Sequence, residues 1–393
     1  RLRTFLSDCD SWKKPNPFNP ALFVDGGVGI AAEGEGMQYQ TEDGSLVCAV
    51  DGHFAHYPHV LERFADRGID IRRCGPAEAL LHYYVHEGLE GLKLLRGSYV
   101  FAIWHAGERK LLLGRDPSGT KRICYSEVPG GLAFASDLAA LARLPMVDRA
   151  IGTDGLLQYF TFGYVCPPHT IYEGVKLLAP GEYLALDSGR VRTDRFFSPL
   201  PEKWKFHELN GTPEEEVVSK LDELVVDATI CRTPEEETIA AYLSGGLDTG
   251  LLAAVLSRHT TKRVVAFTLG SNDPACDEVP EARKVVDELK IADHHCHYIQ
   301  RDEFLDTLTR IPDLYGQPIA DSSVIPNFVI SRMVADQFDR VIAGDGPDGL
   351  YGNWDLRPWF YYYRVMPRLL RTPFATLVHW ADRGLGLGLS TPS

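Results

Sequence analysis

The sequence lacks an apolar run long enough to cross a membrane, and no secretory signal peptide is recognisable in it. A membrane-spanning helix needs about 20 consecutive, mostly apolar residues, so we expect neither a membrane protein nor a membrane partner. The sequence also lacks a Cys-x-x-Cys pair, because its eight cysteines are scattered. This scatter argues against a disulfide framework and favours the reducing cytoplasm.

Positive charge is scarce as well, since the formal net charge is −14. A chain this acidic is poorly suited to a nucleic-acid backbone as its main partner. The 393 residues predict two or three domains, at about 150 residues per domain. The chain starts at Arg1 without a methionine and stops after a Gly/Leu-rich tail, so we expect native residues to be missing at either end.

The stretch 238–256, TIAAYLSGGLDTGLLAAVL, is the most informative part of the chain. Its apolar, partly β-branched start predicts a buried strand, and its last part predicts a helix. A strand that enters a helix through Ser-Gly-Gly directs backbone N–H groups and a helix N-terminus at one point, which favours an anion. Gly245 and Gly246 allow close approach of a phosphate, and Ser244 and Thr249 add hydroxyl donors. The alternative is a glycine-rich turn that binds nothing.

Asp248 would repel a phosphate unless a cation lay between them, so we expect Mg²⁺ at this carboxylate. The run SGGLDT resembles the SGGxDS pyrophosphate-binding loop of the ATP pyrophosphatases, which split ATP into AMP and pyrophosphate. The Gly-Lys-Ser/Thr of the Walker-type loop is absent from it.

The two halves of the chain carry different patterns. Up to residue 197, short strand-like runs separated by turn residues predict an α+β domain of two packed sheets, with helices at 58–67 and 77–86. From residue 238, strands and helices alternate, which predicts an α/β, mostly parallel, doubly wound sheet. An apolar stripe on a helix that follows Thr212 is expected to belong to the core. Ligands bind such sheets at the carboxyl ends of the strands, where the SGGLDT loop lies.

A second motif, GDGPDGLYG at 344–352, follows another strand. Gly344 and Gly346 flank Asp345, so the backbone can turn tightly and approach a ligand. The carboxylates of Asp345 and Asp348 supply the hard oxygen atoms that Mg²⁺ prefers. The alternative is an acidic surface turn. A run of His294, His295, Cys296 and His297 is not expected to hold a metal, since alternate strand residues face opposite ways.

Taken together, these motifs resemble the asparagine synthetase family. The runs at 95–104, 114–121, 134–141 and 170–181 are similar to that family's LRGxFAFAIWD, ARDxxGxKPLYY, FASELKAL and TxxxGVxxLxPG patterns, and 344–352 is similar to its GDGADELFGGY pattern. The resemblance implies an Ntn-hydrolase-like glutaminase domain at 1–197, a linker at 198–212 and an ATP-pyrophosphatase synthetase domain at 213–393.

The resemblance also implies roles for single residues. Asp248 and Asp348 would hold Mg²⁺, Leu269 would touch the adenine, and Asp345 would lie near the reacting carboxyl as the catalytic residue. The ATP-binding residues implied in this way are Leu243, Ser244, Gly245, Gly246, Leu247, Asp248, Thr249, Leu269 and Gly344.

Departures from the family pattern predict an altered activity. The family's N-terminal nucleophilic cysteine is absent from the start, where Arg1 stands, and Asp51 replaces an asparagine that helps to form the oxyanion hole. A carboxylate there opposes the developing negative charge, so we expect an inactive glutaminase domain. Gly349 replaces the usual glutamate, which weakens the case for free aspartate as substrate. A family lysine further downstream lies beyond the end of this chain.

The leading hypothesis is a cytoplasmic, ATP- and Mg²⁺-dependent ligase that adenylates a small-molecule or peptide carboxylate, after which a nitrogen nucleophile displaces AMP. The nitrogen donor and the oligomeric state, for which a homodimer is one option, stay open. Two alternatives remain: an intramolecular ligase that closes a β-lactam or macrolactam ring, and a non-catalytic nucleotide-binding scaffold.

Overall fold

The computed structural model describes residues 21–25, 28–32, 37–55, 75–198, 211–234, 236–347 and 367. Contacts divide the chain into two compact units. The first comprises Arg1–Leu224 with Leu308–Ala320, and the second comprises Val225–Thr307 with Asp321–Ser393. The helix expected at 58–67 and Asp348 lie outside the described residues.

The described residues of the first unit form three antiparallel sheets. A two-stranded sheet pairs β1 with β2, a six-stranded sheet has the order β11-β10-β6-β5-β4-β3, and a three-stranded sheet has the order β8-β7-β9. The strands are β1 Ala21–Asp25, β2 Val28–Ala32, β3 Gln38–Gln40, β4 Leu46–Phe54, β5 Gly97–His105, β6 Lys110–Arg115, β7 Cys124–Val128, β8 Gly131–Ala135, β9 Lys176–Leu177, β10 Glu182–Asp187 and β11 Arg190–Arg195. The described helices are α1 Pro76–Leu92, α2 Leu138–Ala142 and α3 Thr153–Phe162.

Alternation along β4 and β5 gives the six-stranded sheet two buried faces. On one face, Tyr99 and Phe101 pack with residues of α1, including Leu80. On the other face, Val100 and other apolar residues pack with side chains around β7 such as Tyr125. The prediction of an α+β domain with packed sheets is therefore confirmed.

The second unit is built on a four-stranded parallel sheet of order β14-β13-β12-β15. Its strands are β12 Thr238–Tyr242, β13 Arg263–Gly270, β14 Asp293–Tyr298 and β15 Val341–Ile342, and its helices include α5 Leu247–His259, α6 Val279–Leu289 and α8 Val324–Ala335. Apolar residues of α5 and α6 cover one face of the sheet, and residues of α8 cover the other. Helices on both faces confirm the predicted doubly wound arrangement.

Two further helices, α4 Glu214–Ile230 and α7 Arg301–Tyr315, contain the borders between the contact-defined units. The prediction that the apolar stripe of α4 belongs to the core is wrong, because Val218 is 56% exposed and Leu224 is 53% exposed. Periodicity identifies an apolar face, but it does not say whether another element covers that face.

The segment Leu308–Ala320 belongs to the first unit by its contacts, although it is distant in sequence. The backbone N–H of Ala320 donates to the Gly163 carbonyl at 2.8 Å. The side chain of Gln317 accepts a hydrogen bond from the Ile171 N–H at 3.2 Å. These contacts join the second half of the sequence to the loops that surround α3.

Candidate functional site

The candidate site begins where β12 ends and the loop of residues 244–246 leads into α5. Gly246 is the N-cap residue of α5, and no side chain caps this helix end. The first N–H groups of a helix have no partner within the helix. The uncapped start of α5 therefore offers donors and the positive end of the helix dipole to an anion.

Two hydroxyl groups hold the loop in shape. The backbone N–H of Ser244 donates to Thr249 Oγ1 at 3.0 Å, and the two side-chain oxygens are 2.8 Å apart. The Gly246 N–H donates to Ser244 Oγ at 3.1 Å. Ser244 and Thr249, expected from the sequence as phosphate donors, therefore also brace the loop from which the backbone donors project.

Gly245 is required by packing, a reason separate from the ligand approach that the sequence predicts. A Cβ at this position would lie 2.6 Å from the Glu281 Cβ on α6. Real Cβ atoms do not come this close to a neighbouring carbon, so α6 can pack against the loop only when glycine occupies the position. The sequence indicated that a glycine here allows close approach of a phosphate. The packing reason becomes visible only in the structure, where α6 lies against the loop.

The GDG motif lies next to the SGG loop. Strand β15 runs parallel to β12, with Ala240 opposite Val341, so both strands end at the same edge of the sheet. A Cβ on Gly344 would lie 3.0 Å from Thr249 Cγ2 and 3.5 Å from Asp248 Cβ. The structure thus brings together two motifs that are almost 100 residues apart in sequence.

The carboxylates of this edge differ in their surroundings. Asp248 lies half-buried in the first turn of α5, where the helix dipole favours a negative charge. Asp345 is exposed on the neighbouring loop. Asp348 lies outside the described residues, so the pairing of Asp248 and Asp348 stays a prediction. Among the described residues, no group of three or more His, Cys, Asp or Glu side chains could hold a metal ion.

Mg²⁺ is compatible with what the described residues offer. In nucleotide sites it is held by one or two carboxylates together with substrate phosphates and water, so a cage of three protein ligands is not needed. Asp248 has the required oxygen atoms, and it stands beside the helix N-terminus where phosphates would bind.

The face of the sheet under α8 carries further polar groups that the sequence analysis missed. The Tyr242 hydroxyl lies 2.9 Å from Ser331 Oγ on α8. Burial raises the pKa of Tyr242, the hydrogen bond with Ser331 partly offsets this rise, and the negative charge of Asp345 adds to it. Leu269 is half-buried on this same face, where it packs with Tyr242 against the residues under α8. No local pattern marked Tyr242 or Ser331, because a tyrosine in a buried strand usually serves packing.

The histidine-rich strand β14 alternates as expected. His294 contacts Thr268 and Cys296, whereas the ring of His295 stacks on Phe267 with centroids 5.1 Å apart. His297 Nε2 lies 2.8 Å from a carboxylate oxygen of Glu303. Each ring of this strand therefore has its own set of contacts.

Asp51 in the first unit forms an ion pair that the sequence analysis did not predict. The Lys121 ammonium donates to Asp51 Oδ1 at 2.8 Å. The backbone of Lys121 is fixed in turn, because its N–H donates to Asp116 and its carbonyl accepts from Arg115. The sequence shows the carboxylate but not its partner, since Lys121 is 70 residues away in sequence and only the fold brings it close. Whether glutamine is hydrolysed stays a prediction.

Comparisons with known proteins agree with this architecture. A model of glutamine amidotransferase domains matches residues 29–197, and an asparagine synthase model matches residues 220–372. A putative glutamine-hydrolysing asparagine synthetase of Mycobacterium tuberculosis (strain ATCC 25618 / H37Rv) is 29% identical over 314 residues, which cover 76% of this chain and 46% of that protein. The glutamine-hydrolysing asparagine synthetase 1 of Bacillus subtilis (strain 168) is 24% identical over 328 residues, which cover 83% of this chain and 50% of that protein.

Among solved structures, the glutamine phosphoribosylpyrophosphate amidotransferase of B. subtilis, complexed with ADP and GMP, is 12% identical and covers 67% of this chain and 63% of its own. Its TM-score of 0.31 is too low to support an inference. The chain spans about half the length of the two curated relatives. The two adjoining family matches, together with the antiparallel first unit and the parallel second unit, show that this chain belongs to the asparagine synthetase family.

Proposed function

We propose that the chain carries the nucleotide site of an ATP-dependent, amide-forming ligase that adenylates a carboxylate. The observation that supports this most directly is the apposition of Gly344 with Asp248 and Thr249 at the carboxyl edge of the parallel sheet. An uncapped helix start, a braced glycine loop and a carboxylate in the first helical turn suit a triphosphate better than they suit an uncharged ligand.

In the proposed reaction, a carboxylate oxygen of the substrate attacks the α-phosphorus of ATP. The bond from that phosphorus to the bridging oxygen breaks, and pyrophosphate leaves. A nitrogen nucleophile then attacks the acyl carbon, AMP leaves, and the nitrogen loses a proton. The loop N–H groups with Ser244 and Thr249 would bind the pyrophosphate, and Leu269 and Gly344 would border the adenosine. The chain thereby positions the reacting groups and stabilises charge on the leaving group.

Mg²⁺ is the metal that this donor set suits, with Asp248 and Asp348 as its protein ligands. When bound, it would neutralise negative charge on the phosphate oxygens. Asp345 would lie near the reacting carboxyl, as the family pattern of the GDG motif implies.

For the nitrogen donor, we propose that the first domain does not supply ammonia from glutamine. The Lys121–Asp51 pair supports an altered pocket, because it occupies the position of the family's neutral amide with two charged groups. Free ammonia, another subunit or an amine of the substrate itself would then provide the nitrogen. The last source describes an intramolecular ligase.

The decisive assay is ATP–pyrophosphate exchange on the full-length protein with a panel of amino-acid and peptide carboxylates. We expect exchange with at least one carboxylate in the absence of an added amine. Asp248→Asn should lower the exchange rate by about 100-fold, because charge on the leaving group is then poorly compensated. Asp222→Asn on the exposed surface of α4 is the matched control and should leave exchange unchanged.

Two results would reject parts of the proposal. ATP binding without exchange, for every carboxylate tried, would favour a nucleotide-binding scaffold. Release of glutamate from glutamine by the same protein would reject the inactive first domain and leave the adenylation step intact.

A further inference from the structure

The peptide unit that joins Leu243 to Ser244 is the first backbone unit of the SGG loop, and both of its polar atoms are held. The Leu243 carbonyl accepts a hydrogen bond from Thr268 Oγ1 at 2.7 Å. The Ser244 N–H donates to Thr249 Oγ1 at 3.0 Å. One threonine comes from β13 and the other from α5, so the plane of this peptide is fixed from two separate elements.

Thr268 is well suited to this contact. Its side chain is fully buried, at 0% exposure. The Leu243 N–H donates to the Phe267 carbonyl at 2.9 Å, which brings β12 and β13 together at this point. Regular strand β12 ends at Tyr242, and the Thr268 hydroxyl adds a further link between the two strands one residue beyond that end.

His294 orients the Thr268 hydroxyl. Its Nε2 lies 2.8 Å from Thr268 Oγ1. Because the Thr268 hydrogen is donated to the Leu243 carbonyl, the histidine must supply the hydrogen in the second contact, so Nε2 carries a proton. Burial, and then the nearby Arg283, lowers the pKa of His294, which favours the neutral ring with a single N–H. A hydrogen-bond chain therefore runs from His294 through Thr268 to the start of the loop.

We propose that Thr268, oriented by His294, is a positioning residue for the pyrophosphate end of a nucleoside triphosphate. The inference rests on the proposed function of the loop and names a residue that acts through the backbone. If the Leu243–Ser244 peptide is free to rotate, Ser244 and the N–H groups after it are no longer preorganised. A ligand that needs them must then order the loop on binding, which weakens its affinity.

The test compares three variants of the full-length protein. Thr268→Val keeps the shape and removes the hydroxyl, Thr268→Ser keeps the hydroxyl, and Thr229→Val is the control. Thr229 is also buried, at 4% exposure, and its hydroxyl donates to the Val225 carbonyl within α4. The probes are inorganic pyrophosphate with Mg²⁺, and AMP, which lacks the β- and γ-phosphates. Binding is measured by calorimetry.

We expect Thr268→Val to weaken pyrophosphate binding about 10-fold, which corresponds to the loss of one buried hydrogen bond. AMP binding should change less than about 2-fold, because AMP does not need the loop donors. Thr268→Ser should restore pyrophosphate binding, and Thr229→Val should bind both probes like the wild type. Equal binding of pyrophosphate by Thr268→Val and the wild type would overturn the proposal, and so would an equal loss for both probes.

Hydrogen exchange separates this proposal from the function on which it rests. Thr268→Val should speed exchange of the Ser244 and Gly246 amides relative to Thr229→Val. If the wild type binds neither pyrophosphate nor ATP, the proposed function fails, and the exchange rates alone then decide whether Thr268 holds the loop. Unchanged exchange in Thr268→Val would overturn the positioning role in either case.

Discussion

At the scale of single residues, burial decides which charged groups matter for stability. Arg115 and Asp116 are buried next to each other. The Arg115 guanidinium donates at 2.6 Å to the carbonyls of Gly119, Lys121 and Leu178. Lys121 and Asp51 form an ion pair instead, and their side chains are 40% and 45% exposed. A buried cation held by carbonyl groups and an exposed ion pair should therefore differ in what they contribute to stability.

We predict that Arg115→Met lowers the free energy of unfolding by about 3–5 kcal/mol. The substitution leaves three carbonyls without their donor and removes the positive charge beside Asp116. Lys121→Met should cost less than about 1 kcal/mol, since water screens an exposed pair. Denaturant unfolding of the two variants measures both values. Equal losses for the two variants would show that the Arg115 network contributes no more than the surface pair.

The cysteines provide a second residue-scale prediction. Burial raises the pKa of the Cys48 thiol far above its ordinary value and raises the pKa of Cys124 to about 12. The thiolate is the reactive form, so both should resist iodoacetamide at pH 8 in the folded protein. Exposed Cys276 should react before either of them. Mass spectrometry after timed labelling reads this order, and labelling of Cys48 as fast as Cys276 in folded protein would contradict it.

At the scale of elements, the sequence located the SGG loop because several local signals coincide there. An apolar strand, a glycine pair and a helix-forming run predict the β12–loop–α5 unit, and the structure has it. Helix α7 was not predicted, since Pro312 inside it removes a backbone donor and is typical of a helix end. Helix α3 was not predicted either. Large apolar residues such as Phe160 and Leu157 lie on its exposed side, so its sequence lacks the separate apolar and polar faces that indicate a helix.

Other features of the site depend on contacts between elements and have no local pattern. The contact of Gly245 with α6, the Tyr242–Ser331 pair, and the compensation of Asp51 by Lys121 each join residues distant in sequence. A single sequence shows which residue types are present, but not which of them meet.

The packing of α6 on the loop leads to a prediction. Gly245→Ala should destabilise the chain by about 1–3 kcal/mol, as overpacking does, and should weaken pyrophosphate binding as well. The atom that would be too close is the Glu281 Cβ, which is fixed to the helix backbone and cannot rotate away. Gly107→Ala is the control, because a Cβ there meets nothing within 4 Å. Wild-type stability and binding in Gly245→Ala would contradict the packing argument.

At the scale of the whole molecule, contacts and sequence order divide the chain differently. The asparagine synthase match covers residues 220–372, yet Leu308–Ala320 belongs by contacts to the first unit. Gly316 has a φ of +68° in that segment, and a Cβ there would lie 2.7 Å from the backbone nitrogen of Ala139. Neither composition nor periodicity indicates that this segment of the second half belongs to the first unit.

The structure has no helix, among the residues it describes, that is long and apolar enough to span a membrane.

We predict that Gly316→Ala loosens the first unit although it lies in the second half of the sequence. Backbone strain at positive φ and the close contact with Ala139 both oppose the change. Hydrogen exchange should rise in α2 by about 10-fold and stay unchanged in β12 and β13 of the second unit. Faster exchange confined to β12 and β13 would instead place this segment with the second unit.

The central claim is that two aspartates share one metal ion at the edge of the parallel sheet, beside a loop that binds pyrophosphate. A crystal structure of the full-length protein with Mg²⁺ and pyrophosphate tests it most directly. We predict carboxylate oxygens of Asp248 and Asp348 at about 2.0–2.1 Å from one Mg²⁺, with pyrophosphate on the N–H groups at the start of α5, residues 247–249. Carboxylates too far apart to share an ion, or pyrophosphate bound at another place, would contradict the account.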